Sequence, residues 1–155
     1  MQVGTKGRYA VTALLRLHEA SKTQQVIPLS YLSEAENISI AYLEQLFTKL
    51  RKAGVVNSVR GQSGGYVLAR SASFINMAEI VMAAEENLSF TRCSALSHTG
   101  CTKTGAVCKT HNLWEGLTNH VYSFLSSITL EDLALGKIPR VMMNKWTQHK
   151  QVAND

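Results

Sequence analysis

Residues 29–69 constrain this chain most, because they place two short amphipathic helices and a glycine-rich hairpin in immediate succession. Residues 29–36 read as a helix that buries Leu32 and Ala35, and Asn37 suits the tight turn after it. Ser39 can cap the next helix, from residue 40 to about 53, in which Leu43, Leu46, Phe47 and Leu50 form one apolar stripe and Gly54 marks the end. The opposite face carries Ala41, Gln45, Thr48 and Lys52, with Glu44 and Lys49 on its flanks. Residues 55–59 and 66–69 then read as two strands joined by Arg60-Gly61-Gln62-Ser63-Gly64-Gly65. Glycines there permit positive φ and close approach of backbone N–H groups to a phosphate, and Arg60 at the base can reach into a minor groove. The loop has neither the GK[ST] of a P-loop nor GxGxxG spacing, so a nucleotide cradle is set aside. Upstream, residues 5–20 place Ala10, Ala13, Leu14 and Leu17 on one helical face, with Thr5 available as a cap and residues 26–28 as an extended link. Together these parts predict a mainly α fold: a winged helix-turn-helix with a two-stranded wing.

Charge supports that reading. Residues 1–70 carry nine Lys or Arg against four Glu, whereas residues 71–155 carry seven of each sign, so the whole excess of +5 lies in the first part. A localised basic excess is the footprint of a surface that neutralises phosphates, although a merely solvated surface has the same charge. On the free face of the second short helix, Gln45 can pair with adenine and Glu44 can accept from cytosine N4. Thr48, Lys49 and Lys52 suit phosphates. The expected DNA-binding set is Ala41, Tyr42, Glu44, Gln45, Thr48, Lys49, Lys52, Arg60, Gly61 and Gly64.

All three cysteines fall within residues 92–111, where Cys93, Cys101, Cys108 and His111 make a C-x7-C-x6-C-x2-H run with two glycines, three basic residues and no carboxylate. No run of about 18 apolar residues is available to span a bilayer, and residues 1–10 lack the apolar centre of a signal peptide, so a cytoplasmic protein is expected. In a reducing compartment an odd, clustered set of thiols points to metal rather than to disulfides. On the residues alone, zinc and an iron-sulfur cluster stand level, since Cys3His serves both. His98, in the same loop, is the rival fourth ligand, or else a solvated histidine. An enzyme is not expected, because there is no redox C-x-x-C, no H-E-x-x-H and no recognisable Ser/His/Asp context.

Flanking this run, Asn76 and Glu79 have capping-box spacing at the start of a helix reaching about residue 85, with Ile75 able to staple onto Ile80. A longer helix from about residue 110 to 127 spaces Trp114, Leu117, Val121, Phe124 and Ile128 in steps of three and four, the rhythm of a dimer seam, although packing onto its own domain would use the same stripe. Gly116 within it suits a close helix approach. Thr129 and Asp132 repeat the capping pattern for a short helix that Gly136 closes. The expected organisation is a DNA-binding domain at 1–85, a ligand loop at 86–111, a dimerisation helix and short following helix at 112–135, and a loose tail at 136–155 that includes Trp146 and His149.

Several stretches resemble the winged-helix repressors of the iron-sulfur cluster regulator, or IscR, family. KGRYAVTALL at 6–15, AYLEQLFTKLRKAGVVNSVRG at 41–61 and GGYVLA at 64–69 are similar to the family at large. TRC at 91–93, with THNLWEGL and FLSSITLEDL within 110–133, is similar to the cluster-binding branch. The resemblance implies a homodimeric transcriptional regulator that holds a 2Fe-2S cluster through Cys93, Cys101, Cys108 and His111, pairs through the long helix, binds double-stranded palindromic operators and represses cluster-assembly genes. With no apolar span in the sequence, no membrane partner is expected. The sequence departs from the family's usual pattern at Gln62-Ser63 in the wing and at Ala41, where a Ser often opens the recognition helix.

Overall fold

The computed structural model describes residues 4–61, 63–85, 101 and 106–138. The first helix, α1 (Thr5–Ala20), buries Ala10, Ala13, Leu14 and Leu17. Its N-cap is Gly4, and Thr5 is already inside the helix, so the expected hydroxyl cap does not form. Next come α2 (Leu29–Glu36) and α3 (Ile40–Lys52), separated by Asn37 in the left-handed region at φ 52°. Ser33 Oγ donates to Ile38 O at 2.6 Å across this turn, and Ser39 Oγ accepts from Tyr42 N at 3.3 Å as the α3 cap. Leu32 is buried as expected, but Ala35 is exposed: on two turns of helix only one narrow stripe faces the core.

Behind α3 lies the wing, β1 (Val56–Val59) paired antiparallel with β2 (Gly65–Leu68) from Val56 opposite Leu68 to Val59 opposite Gly65. Both strands begin one residue from the expected starts, and Ile27 adds a single-residue third strand. Its N–H donates to Tyr66 O at 3.0 Å and its carbonyl accepts from Tyr66 N at 2.8 Å. Gly65 is required by that bridge, because a Cβ there would stand 2.6 Å from Ile27 C and 2.9 Å from Pro28 N. Among the described residues of this loop only Gly61 uses positive φ, at 124°. The glycines expected to admit a phosphate therefore serve two separate needs, and one of them is internal packing.

A 3-10 turn (Ala72–Phe74) leads into α4 (Met77–Glu85), whose start carries the expected reciprocal cap: Asn76 Oδ1 accepts from Glu79 N at 3.0 Å and Glu79 Oε2 accepts from Asn76 N at 3.1 Å. Arg70 pins this region by donating to Gly54 O, Phe74 O and Glu79 Oε1 at 2.8, 3.1 and 2.8 Å. After the ligand segment come α5 (His111–Ser126) and α6 (Leu130–Ala134). Thr129 and Asp132 form the α6 capping box, and the Thr129 hydroxyl and N–H hold the Asp132 carboxyl below its ordinary range. The segment around α6 ties back to the start of α4 through Met77 N to Ile128 O at 2.9 Å and Leu130 N to Ile75 O at 2.8 Å. Ile128, expected on a dimer seam, lies past the end of α5 and is 4% exposed inside the same core as Leu14, Phe47 and Ile80. The rhythm extends beyond the helix that would use it. Among the described residues no helix is long and apolar enough to cross a membrane.

Candidate functional site

The ligand segment meets the fold at the N-terminus of α5. Thr110 is the N-cap but makes no side-chain capping bond, and His111 N donates to Cys108 O at 3.0 Å. The positive end of the helix dipole therefore lies beside Cys108, which lowers the cost of a thiolate there. Cys101 Sγ lies 3.0 Å from His111 Nδ1, and Cys108 Sγ lies 3.5 Å from Thr110 Oγ1. Neither cysteine forms a disulfide, and both are partly exposed. A thiolate sulfur and an imidazole nitrogen on one tetrahedral metal stand about 3.5 Å apart, so Cys101 and His111 need part by only about half an ångström to share an ion. Two of the four expected ligands are thus brought together. Cys93 and His98 lie outside the described residues, and among the described residues no group of three or more His, Cys, Asp or Glu is arranged to hold a metal ion. The donor set itself, soft sulfur with one nitrogen, fits iron or zinc and not a hard cation.

About the wing and α3 a second surface forms. Ala41, Glu44, Gln45, Thr48, Lys49 and Lys52 line one shallow groove on the side of α3 away from Leu43, Leu46, Phe47 and Leu50. The Thr48 hydroxyl donates back to Glu44 O at 2.7 Å, so toward DNA it can act only as an acceptor. Tyr42 is half-buried and meets the Tyr9 ring edge-on at 5.7 Å, off the centre of the face. Lys49 was expected at a phosphate, yet its Nζ donates to Ala84 O at 3.3 Å. An ammonium is drawn there because the last carbonyls of a helix carry partial negative charge. Arg60 and Gly61 are exposed at the wing, and Gly64 is half-buried; Gln62 lies outside the described residues.

Residues 3–135 match the Rrf2 family, described as an iron-dependent transcriptional regulator. The chain belongs to the Rrf2 family. The HTH-type transcriptional regulator IscR of Photorhabdus laumondii is 47% identical over 133 residues, covering 86% of this chain and 79% of that one. The solved structure of T. potens IscR shares 33% identity, covers 91% of this chain and 90% of that one, and superposes with a TM-score of 0.69. CymR, the global cysteine regulator of B. subtilis, shares 34% identity with a TM-score of 0.67, over 86% of this chain and 96% of that one. This Rrf2 chain is a winged-helix transcriptional regulator and not an enzyme.

Two contributors to these surfaces escaped the sequence reading. Lys6, in the first turn of α1, lines a second recess with Tyr42, Gln45, Lys49 and Ala84. Its position before the apolar stripe gave no hint of this, because the recess exists only once α1, α3 and α4 are packed. Glu115 stands 3.6 Å from His111 Nε2. Here a signal was present, since His111 and Glu115 are four apart in a helical stretch.

Proposed function

We propose that this Rrf2 chain is a cytoplasmic, cluster-sensing regulator that holds a 2Fe-2S cluster through Cys93, Cys101, Cys108 and His111. The closure of Cys101 onto His111 at the head of α5 carries this reading. The family's iron dependence favours iron over zinc for the same donors. A bound cluster would supply a redox- and iron-dependent change of charge and geometry at this point. Cys101 and Cys108 would bind as thiolates, and His111 as the one neutral donor, which holds ferric iron less firmly and makes retention sensitive. Through Lys49, α3 is tied to Ala84, one residue from the end of α4 and immediately ahead of the ligand segment. That tie offers a short route from ligand binding to the DNA-reading face.

The DNA partner is a double-stranded, palindromic operator read by a homodimer, with α3 in the major groove and Arg60 and Gly61 of the wing at the backbone or minor groove. In support of the dimer, α5 is 16 residues long and buries none of them, and its Leu113 is 64% exposed. A contiguous apolar face of this kind marks an association surface. Trp114, Leu117 and Val121 are only half-covered, and Phe124 leans on the core, so the proposed seam is Trp114, Leu117, Val121 and the outer side of Phe124. Gly116, with nothing within 4 Å of a Cβ built on it, leaves room for a second helix. Repression of cluster-assembly genes is the proposed output.

Protein purified and reconstituted without oxygen is expected to show visible iron-sulfur absorption with matching iron and sulfide. A colourless protein carrying zinc would replace the cluster with a structural metal. Glu44 is placed to choose among operators, because a carboxylate on a basic face repels phosphate and leaves unpaired any base that cannot donate to it. Glu44→Ala is expected to widen the set of bound sites in an operator selection, with a gain of roughly 1–3 kcal/mol at sites the wild type rejects. A uniform fall in affinity across all operators would remove Glu44 from that role.

A further inference from the structure

His111 is the first residue of α5 and Glu115 sits one turn along, so their side chains share a face of the helix. The imidazole is addressed from both edges: Nδ1 lies 3.0 Å from Cys101 Sγ, and Nε2 lies 3.6 Å from Glu115 Oε2. Both side chains are partly withdrawn from water, at 17% and 32% exposure. Among the described residues Glu115 has no other ion pair. At 3.6 Å its carboxylate is an electrostatic partner rather than a full hydrogen-bond acceptor. Even so, a carboxylate beside one ring nitrogen favours the tautomer with the proton on that nitrogen, which leaves the lone pair on the other.

We propose that Glu115 is the positioning residue for the histidine ligand: by holding Nε2–H it presents His111 Nδ1, and not Nε2, to the iron. The inference rests on the cluster reading above and adds to it the ligating atom and the group that selects it. Glu115 also brings a negative charge close to the site, so removing that charge raises the reduction potential, whereas removing the acceptor loosens the ring. The two effects separate by substitution. Glu115→Gln keeps an oxygen that can accept from Nε2–H and loses only the charge; Glu115→Ala loses both.

The test uses full-length protein reconstituted without oxygen, with histidine labelled with ¹⁵N at either Nδ1 or Nε2, and pulsed EPR of the reduced cluster. Strong ¹⁵N coupling is expected from the Nδ1 label and weak coupling from the Nε2 label. Glu115→Gln should retain the Nδ1 pattern with a potential shifted upward. Glu115→Ala should lose its iron to a chelator roughly 10-fold faster, the low end of what removal of an outer-shell partner does. Strong coupling from the Nε2 label, or a Glu115→Ala protein with unchanged spectrum and unchanged rate of iron loss, overturns the inference while leaving the cluster reading intact. Wild-type protein that takes up neither iron nor sulfide overturns both.

Discussion

Cys101→Ala is expected to abolish cluster retention while leaving the fold intact. Cys101 is a partly exposed thiol outside the hydrophobic core, so removing its sulfur creates no cavity. On the proposed reading, what is lost is a ligand. A four-ligand Cys/His site binds zinc with roughly 10–16 kcal/mol, so one thiolate accounts for about 3 kcal/mol, or about two orders of magnitude in retention. After anaerobic reconstitution and gel filtration, the variant should show near-background iron and visible absorption, against a full complement in the wild type. Thermal unfolding of the two metal-free proteins should coincide, because Cys101 is not among the residues of the hydrophobic core. Wild-type iron content in the variant would take Cys101 out of the ligand set and leave the 3.0 Å approach to His111 as an ordinary hydrogen bond.

Phe47→Ala should produce the larger loss of stability, about 3–5 kcal/mol. Its side chain is fully buried, and its ring meets Tyr66 edge-on at a centroid distance of 4.8 Å and an interplanar angle of 63°. Tyr66 in turn exchanges both backbone hydrogen bonds with Ile27. One aromatic ring therefore holds α3, the wing and the link between α1 and α2 in register. For a domain of this size each kcal/mol lowers the melting temperature by about 2–4 °C, so a fall on the order of 10 °C is expected by circular dichroism. Phe47→Leu keeps most of the volume and should lose much less. A loss below about 1 kcal/mol for the alanine variant would mean that the pocket collapses freely around the missing ring, against the close packing of this core.

Much of the fold was legible in the residues. The α3 stripe of Leu43, Leu46, Phe47 and Leu50 is buried as the periodicity required, and the caps at Ser39, at Asn76 with Glu79 and at Thr129 with Asp132 form as their spacing implied. These signals are local: a cap needs only its own turn, and a stripe needs only some apolar neighbour. Readings that depended on which neighbour arrives fared differently. Ala35 shares a helix with Leu32 but faces water, and Ile128 continues the α5 rhythm in sequence but is drawn into the core by its backbone bond to Met77. Lys49, expected on the DNA-facing side of α3, has its ammonium donating to Ala84 O at the end of α4. Nothing near residue 49 in the sequence names residue 84.

By itself, the sequence determined the order and type of the α-helices and strands, the buried stripe of α3 and the sulfur and nitrogen donors on offer in residues 92–111. Each of these follows from periodicity, from capping chemistry or from the softness of sulfur and nitrogen, all properties of a residue and its near neighbours. Only the tertiary structure decided that Gly65 is needed for the Ile27 bridge, that α3 is latched to the end of α4, and that, among the described residues, α5 is left with no fully buried side chain while α6 straps back onto the core. It also decided that the His111 ring turns Nδ1 to within 3.0 Å of Cys101 Sγ. These are distances between groups far apart in the chain or rotations of a single ring, and packing sets them after local preferences have been satisfied.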